Sequence, residues 1–538
     1  MNNYSRIAES LLSSRDEMKP LWDFLARSIL PRKRDVLAKL RNKDPKADHS
    51  STACDALHVL VGAFLSHITP SGQPWMEYRS RAGKTEKHKL WFQNASEVTL
   101  QTLAGTNFYP VIHEHFLENA LFGTAATLAE EDATNTIRFT SIPVGSFGIG
   151  EDLKGCVDKL CREFEYTPAQ LVERWGSACP SEIHDAFARP NERFTRKFTV
   201  WHLVTPRTEY TVPNGNPHTK PAMMRFASVY MLADGRKTIL EEGGYHEFPF
   251  LVTRFLKWTD AWGYAPGLKI VDELRRELKL DRDLDILADL AAFPRVFIDA
   301  EQDGDVDFRP GSSTVIDRAV AGLNLPREWG SQGRYDVGMD RLARVREQIQ
   351  SAFYVPFLRV VSGVDRAMTA TEVVARQSEQ VIGISAAFSQ FVADFDVMQR
   401  RIFAVLFRAG AYNTAKGTQP ADIIQPTADG TNYSIELPGV DYHGRIVQAI
   451  QTAQKQSLDY GVQTAAQYIQ VTGDTSAMDC VDVSKVIEFV FRSMGAPSDI
   501  FRTEAEVEQL RTERAAAAQQ QQQLMQAETA AKAAQAMR

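Results

Sequence analysis

Two histidines in "HEH", His113 and His115, have side chains able to ligate a metal. Residues two apart on a helix point about 200° away from each other, so ordinary helix-surface histidines are the preferred reading. "DGDVDF" sets Asp303, Asp305 and Asp307 at the spacing of a calcium loop. Such a loop needs glycine at its sixth position and glutamate at its twelfth, and here those positions hold Phe308 and Thr314. A solvated acidic hairpin is favoured. The five cysteines (Cys54, Cys156, Cys161, Cys179 and Cys480) are odd in number and scattered, and they read as buried free thiols. No GxxxxGK[ST] loop and no G-x-S-x-G elbow occurs, and the carboxylates between 266 and 294 alternate with bases like salt-bridge partners. A chain without a catalytic constellation, metal site or cofactor motif leans toward a structural or assembly role, not an enzyme.

Position therefore matters more than reactivity, and position is set by the elements. Residues 1–130 read mostly as helix: "AESLLSSRDEMKPLWDFLARSILP", "SSTACDALHVLVGAFLSHITP" and "HEHFLENALFGTAATLAEE" all carry apolar residues near a 3.6 period. From about 136 the period becomes two. "IRFTSIPV", "RKFTVWHLVTP", "SVYMLADGRKTIL" and "YHEFPFLVTRFLKW" read as antiparallel strands, with Asp234-Gly235 as a hairpin turn and "TPAQLVERWGSA" as a helical insert. "PGLKIVDELRRELKLDRDLDILADLAAFP" (266–294) is then a long helix between two prolines. Short strands follow over 295–335, another helix ("DVGMDRLARVREQIQSAFYV"), and a loop, "PFLRVVSGVDRAM".

The longest element opens at "MTATEVVARQSE", where Thr369 and Glu372 fit a capping box. Val381, Ile384, Phe388, Phe391, Phe395, Met398, Ile402 and Val405 continue at alternating spacings of three and four. The helix is some 60 Å long at ~1.5 Å per residue, with a bend expected at Gly383. That stripe suits either a helix crossing a large core or one packed against equivalent helices of other subunits. Beyond it lies a polar connection, and the tail "AAAAQQQQQLMQAETAAKAAQAMR" is helix-permissive with hardly any core face.

The 538 residues exceed one ordinary core, and 44% hydrophobic with 24% charged residues is the composition of a folded soluble protein. A net charge of −7 argues against a nonspecific DNA coat. The N-terminus lacks the apolar region of a secretory signal, and no apolar run reaches a bilayer span, so no membrane binding is expected. The 266–294 helix is studded with charge: Asp272, Glu273, Arg275, Arg276, Glu277, Lys279, Asp281, Arg282, Asp283 and Asp285. Its apolar stripe is narrow. Such a helix is poorly served in a monomer's core and suits a ring whose neighbouring subunits supply opposite charges and apolar contact.

Long helix, small β module, returning helix, loop, long bent helix: in this order the chain resembles the portal, or head-to-tail connector, of short-tailed double-stranded DNA bacteriophages. "STACDALHVLVGAFLSHITPSGQPWMEYR" is similar to the family's N-terminal helix, threonine-proline turn and Pro-Trp. "ENALFGTAATLAEEDATNTIRFTSIPVGSFGIGEDLKGCVDKLCREFEYTPAQL" resembles its passage from a Phe-Gly turn into wing strands. "WTDAWGYAPGLKIVDELRRELKLDRDLD" is similar to its turn and stem helix, with "GYAPG" where the family often has a glycine and an arginine. "DRAMTATEVVARQSE" resembles its Arg-x-x-Thr-Ala-x-Glu signature, and "RTEAEVEQLRTERAAAAQQQQQ" its glutamine-rich C-terminal helix. Together these stretches span about residues 20–530.

The resemblance implies a mainly α chain with an antiparallel β wing region (α+β), forming a homododecameric ring around an axial channel. Residues 1–265 and 369–437 would be the wing, 266–293 and 336–355 the stem, 294–335 the clip, 356–368 the channel loop and 438–538 the crown. The ring would occupy one capsid vertex of the virion after assembly in the host cytoplasm. It would pass double-stranded DNA and meet the large terminase subunit, the tail adaptor, and the scaffolding and major capsid proteins. Arg359 and Arg366 would face DNA in the channel, in a salt-dependent, sequence-blind way. Asp303, Asp305, Asp307, Arg309, Arg327 and Trp329 would be candidates for terminase and adaptor contact, and the stem charges from Asp272 to Asp283 would meet neighbouring subunits. The reading from other classes is a helical scaffold or adaptor in a smaller oligomer without a channel, or an enzyme whose site is assembled from scattered residues.

Overall fold

The computed structural model describes residues 3–30, 49–79, 86–132, 134–207, 224–257, 260–293, 295–299, 313–316, 327–329, 334–359, 370–415, 419, 424–426, 433–435, 438–442 and most of 509–516. Helices and antiparallel strands share the chain, as the two periodicities require. Helix α1 (Asn3–Ile29) runs unbroken through Pro20 and serves two cores. Its Leu11 and Leu12 pack on one sheet, whereas Trp22, Leu25 and Ile29 enter the main apolar cluster. Helix α2 (Ser51–His67) starts at Ser50, whose hydroxyl accepts from the Ala53 N–H at 3.0 Å and so satisfies a free donor of the first turn. Strand β1 (Met76–Arg79), α3 (Glu86–Gly105) and α4 (Phe108–Phe122) follow.

The helix read through "HEHFLENALFGTAATLAEE" ends nine residues before Glu131. Gly123 closes α4 with φ +87°, and a Cβ there would collide with the Gly263 carbonyl, so only glycine turns this corner. The next residues form strand β2 (Thr124–Asp132), the middle of a three-stranded antiparallel sheet with β3 (Thr136–Ile142) and β9 (Phe250–Arg254). Both faces of its first six residues are buried, which erases the period-two signal and leaves an alanine-rich string that looks helical.

A second sheet has the order β4 (Phe147–Glu151), β5 (Val157–Tyr166), β6 (Phe198–Pro206), β7 (Phe226–Leu232), β8 (Ile239–Tyr245), all antiparallel. Strands β4 and β5 were not foreseen as separate strands, and "YHEFPFLVTRFLKW" divides between the end of β8 and β9. The insert between β5 and β6 is longer than read: α5 (Pro168–Trp175), α6 (Ser181–Ala188) and the single turn α7 (Pro190–Arg193). Among the cysteines, Cys161 and Cys179 are buried, but Cys156 is exposed, because it ends the tight β4–β5 turn.

Pro266 and Gly267 begin α8 (Pro266–Lys269), and Gly267 lies so close to the Leu121 carbonyl that no side chain would fit. Helix α9 (Val271–Ala292) leads into a small module of β10 (Arg295–Asp299), β11 (Ser313–Ile316) and β12 (Arg327–Trp329), in which β10 is central, parallel to β11 and antiparallel to β12. Helix α10 (Tyr335–Ala352) returns, α11 (Val355–Arg359) follows, and α12 (Ala370–Arg408) runs for 39 residues. The short strands β13 (Ile424–Pro426) and β14 (Tyr433–Ile435) pair with each other, and β15 (Gly439–Tyr442) pairs with β1. The capping box at Thr369 and most of the expected crown, 443–508 and 517–538, lie outside the described residues.

Candidate functional site: a projecting hairpin and the helix behind it

Helices α9 and α10 form an antiparallel pair, because contacts climb one as they descend the other: Gly338 meets Leu284, and Arg346 meets Glu277 and Asp281. At the root, Leu274, Val345, Ile349 and Phe353 belong to the main core. A Cβ on Gly338 would come within 2.6 Å of the Leu284 side chain, so glycine lets the helices close up there. Beyond that point the pair leaves the core.

The root is pinned by one buried carboxylate. Glu277 accepts from the Ser50 hydroxyl at 2.5 Å and from Arg346 Nε at 3.2 Å, and Arg346 reaches Asp281 at 2.9 Å. Ser50 thus caps α2 and binds α9 at once. Of the nine stem charges expected on the subunit interface, Glu277 and Asp281 are engaged inside the protomer. Asp272 pairs with Arg275 one turn on, at 3.4 Å, and Glu273 is half-buried. Arg276, Lys279, Arg282 and Asp283 stand exposed.

The far half of the hairpin has an unusual surface. Ile286, Phe293, Tyr335, Val337 and Met339 are five of the nine large exposed hydrophobic residues found among the described part of the chain, and Phe293 is 63% exposed. Scattered single apolar residues are normal on a surface, but a cluster at one end of two paired helices marks a contact surface. Arg327 and Trp329 lie in β12 in register with Phe297 and Arg295. Asp303, Asp305, Asp307 and Arg309 lie outside the described residues. Arg359 ends α11, directly after the turn at Tyr354, whose φ of +60° is a strained value for a bulky residue. Arg366 lies outside the described residues.

The stripe of α12 finds its partners within the protomer from Phe391 onward. Phe391 packs on Phe116, Phe395 on Trp75 and Phe108, and Ile402 and Val405 are buried in the same core. Of the two readings, the core-crossing helix holds for this half. Charges clamp its flank. Arg401 is buried and pairs with Glu247 at 2.9 Å, and Arg408 pairs with Glu247 at 2.7 Å and with Glu131 at 2.8 Å. Burial pushes the Glu247 carboxyl up, but the hydrogen bond and charge of Arg408 together with Arg401 outweigh it and hold the group below the usual range. Arg254 bridges Glu151 to Asp394 on α12; burial dominates at Asp394 and raises its pKa.

The "HEH" reading needs correction on one side. His113 is exposed, but His115 is 1% exposed, with Nδ1 2.9 Å from the Thr127 hydroxyl and Nε2 2.7 Å from that of Thr253. Desolvation lowers its pKa to about 3, so the ring is neutral. The difference between the two histidines was hidden because Thr127 lies in a segment that reads as helix but is strand β2, and Thr253 comes from β9, 138 positions away. Among the described residues no group of three or more His, Cys, Asp or Glu could hold a metal ion, and no helix is long and apolar enough to cross a membrane.

Comparison with known proteins places the chain in a family. A family profile described as bacteriophage head to tail connecting protein matches residues 2–501. The chain is 25% identical over 466 residues to the "Probable portal protein" of Bordetella phage BPP-1, covering 83% of this chain and 78% of that one. It is 23% identical over 545 aligned positions to the "Portal protein" of Salmonella phage epsilon15, covering 98% and 93%. With nearly its whole length matched, the chain belongs to the bacteriophage head to tail connecting proteins, structural components of the virion rather than enzymes.

Proposed function

We propose that the chain works as a homododecameric portal ring at a capsid vertex, through which double-stranded DNA enters and leaves. The observation that carries the reading is the distal hairpin, where Ile286, Phe293, Tyr335, Val337 and Met339 find no cover within the described protomer surface. Burying such a side chain contributes on the order of 1–3 kcal/mol, against tenths of a kcal/mol for an exposed ion pair. Apolar contact between neighbouring hairpins therefore dominates their cohesion, and Arg276, Lys279, Arg282 and Asp283 tune register. Seven acidic to four basic residues on α9 favour a lining that does not hold a polyanion. Arg359 and Arg366 supply the cations that touch passing phosphates. The module at the hairpin's tip, with Asp303, Asp305, Asp307, Arg309, Arg327 and Trp329, meets the large terminase subunit during filling and the tail adaptor afterwards. Scaffolding and major capsid proteins surround the ring.

Native mass measurement with end-on negative-stain imaging tests this. A ring of about twelve 60.3 kDa subunits with a central hole is expected. Phe293→Asp with Val337→Asp, both exposed in the protomer, should leave folded protomers and few rings. A folded 60 kDa monomer, or a compact dimer or trimer with no hole, would overturn the proposal in favour of a scaffold or adaptor role.

A further inference from the structure

The two helices of the hairpin carry unlike ridges of charge on the sides that face away from each other. On α10, Leu342, Val345 and Ile349 are buried, and Glu347 lies two residues from each of the latter two, about 200° round the helix. On α9 the same relation holds between the buried Glu277 and Lys279. Asp283 lies one turn beyond Lys279, and Arg344 one turn before Glu347, so each pair forms one ridge. All four side chains are exposed, and none has an ion-pair partner among the described residues. From root to tip, the α9 ridge reads lysine then aspartate, and the α10 ridge reads glutamate then arginine. A closed ring with head-to-tail contacts needs two such unlike, complementary faces on opposite sides of one protomer.

Height along the hairpin is fixed by its own contacts. Gly338 meets Leu284 and Arg346 meets Glu277, which sets Arg344 level with Lys279 and Glu347 level with Arg276. Level hairpins side by side would therefore put Lys279 against Arg344. A step of one helical turn, ~5 Å, instead puts Lys279 against Glu347 and Asp283 against Arg344. The same step brings the exposed Val337 to the half-buried Leu290. The opposite step sets Arg276 against Arg344 and Asp283 against Asp336. Exposed ion pairs add little affinity, but they select register, because a wrong step juxtaposes like charges. Copies in a closed ring share one height, so the favoured step requires hairpins that lean against the ring axis in one direction.

We infer that α9 of one copy docks on α10 of the next, stepped by one helical turn, with Lys279 on Glu347 and Asp283 on Arg344. This rests on the ring reading, and it names the face that receives each hairpin. Charge exchange tests it, with assembly read by sedimentation velocity. Both Lys279 and Glu347 are exposed in the protomer, so changing them leaves its core untouched. Lys279→Glu alone and Glu347→Lys alone set like charges across the contact. Each should raise the concentration at which half the chain is in rings by about tenfold in ~50 mM salt, and by less in ~500 mM salt. The double variant restores the pair with its signs exchanged and should assemble as the parent does. Lys279→Glu with Asp340→Lys, a pairing that only the opposite step allows, should not recover. Single variants that assemble like the parent, a double variant no better than the singles, or recovery through Asp340→Lys would each overturn this contact and leave the ring reading standing. Absence of rings from the unmodified chain would instead remove the ring reading and this contact together.

Discussion

Acid should weaken this protein through the ring of His115. Its pKa is about 3 in the folded chain, against an ordinary 6.5, because burial disfavours the imidazolium. Below 6.5 the unfolded chain takes up a proton that the native one refuses, so stability falls as pH drops and is recovered as pH rises. At pH 5 the loss from this one site is about 2 kcal/mol, from ~1.4 kcal/mol per pH unit below the unfolded value. That figure requires only that the native ring remain neutral at pH 5. The hydroxyls of Thr127 and Thr253 can rotate to accept from a charged ring, so the penalty is one of desolvation rather than of lost hydrogen bonds. The assay is denaturant unfolding followed by tryptophan fluorescence at pH 7.5 and 5, at fixed protein concentration because assembly adds to apparent stability. His115→Gln should cost about 1–3 kcal/mol at neutral pH, by leaving a buried hydroxyl short of a partner, but should lose roughly 2 kcal/mol less than the parent on acidification. Acid-sensitive groups common to both proteins, such as Glu247 and Asp16, cancel in that double difference. Equal losses in parent and variant would refute the neutral buried histidine.

Arg401→Ala removes one of the two arginines on Glu247 and leaves that half-buried carboxylate with Arg408 alone; a loss of about 2 kcal/mol is expected by thermal or denaturant unfolding, and a change within ~0.5 kcal/mol would show the clamp to be decorative. Gly123→Ala demands φ +87° of an alanine and drives its methyl into the Gly263 carbonyl, so folding yield and stability should fall by more than about 2 kcal/mol, whereas Gly62→Ala, with open space around it, should not destabilise. Arg359→Ala with Arg366→Ala should leave ring assembly intact and impair DNA packaging or retention, measured as encapsidated DNA per particle; loss of the ring in that variant would make the loop structural.

Some of this architecture was written locally. Ser50 before an apolar run announces α2, Pro266 announces α8 and α9, and the sparse apolar positions of α9 announce a helix that cannot be enclosed. The exposed charge of α9 follows from composition along a helix, and no tertiary information was needed to see it. "TAATLAEED" behaves differently. Alanine and glutamate favour a helix locally, and only pairing with β3 and β9 on both sides makes the segment a strand. The same cause hid β4 and β5 within one broad β-rich reading, since glycines at Gly148 and Gly150 suggest a loop until α1 is laid against them.

The sequence by itself determined the class and order of most elements, and the presence of a charge-studded helix with a narrow apolar stripe, because helical and strand periods are local properties of neighbouring residues. Tertiary structure alone decided which charges have partners. Glu277 looks like every other acid on α9, yet it is buried between a serine 227 positions earlier and Arg346. His115 looks like His113, yet it lies against a threonine 138 positions later. Burial is set by whatever the chain brings back from far away, and spacing along one helix carries no record of it.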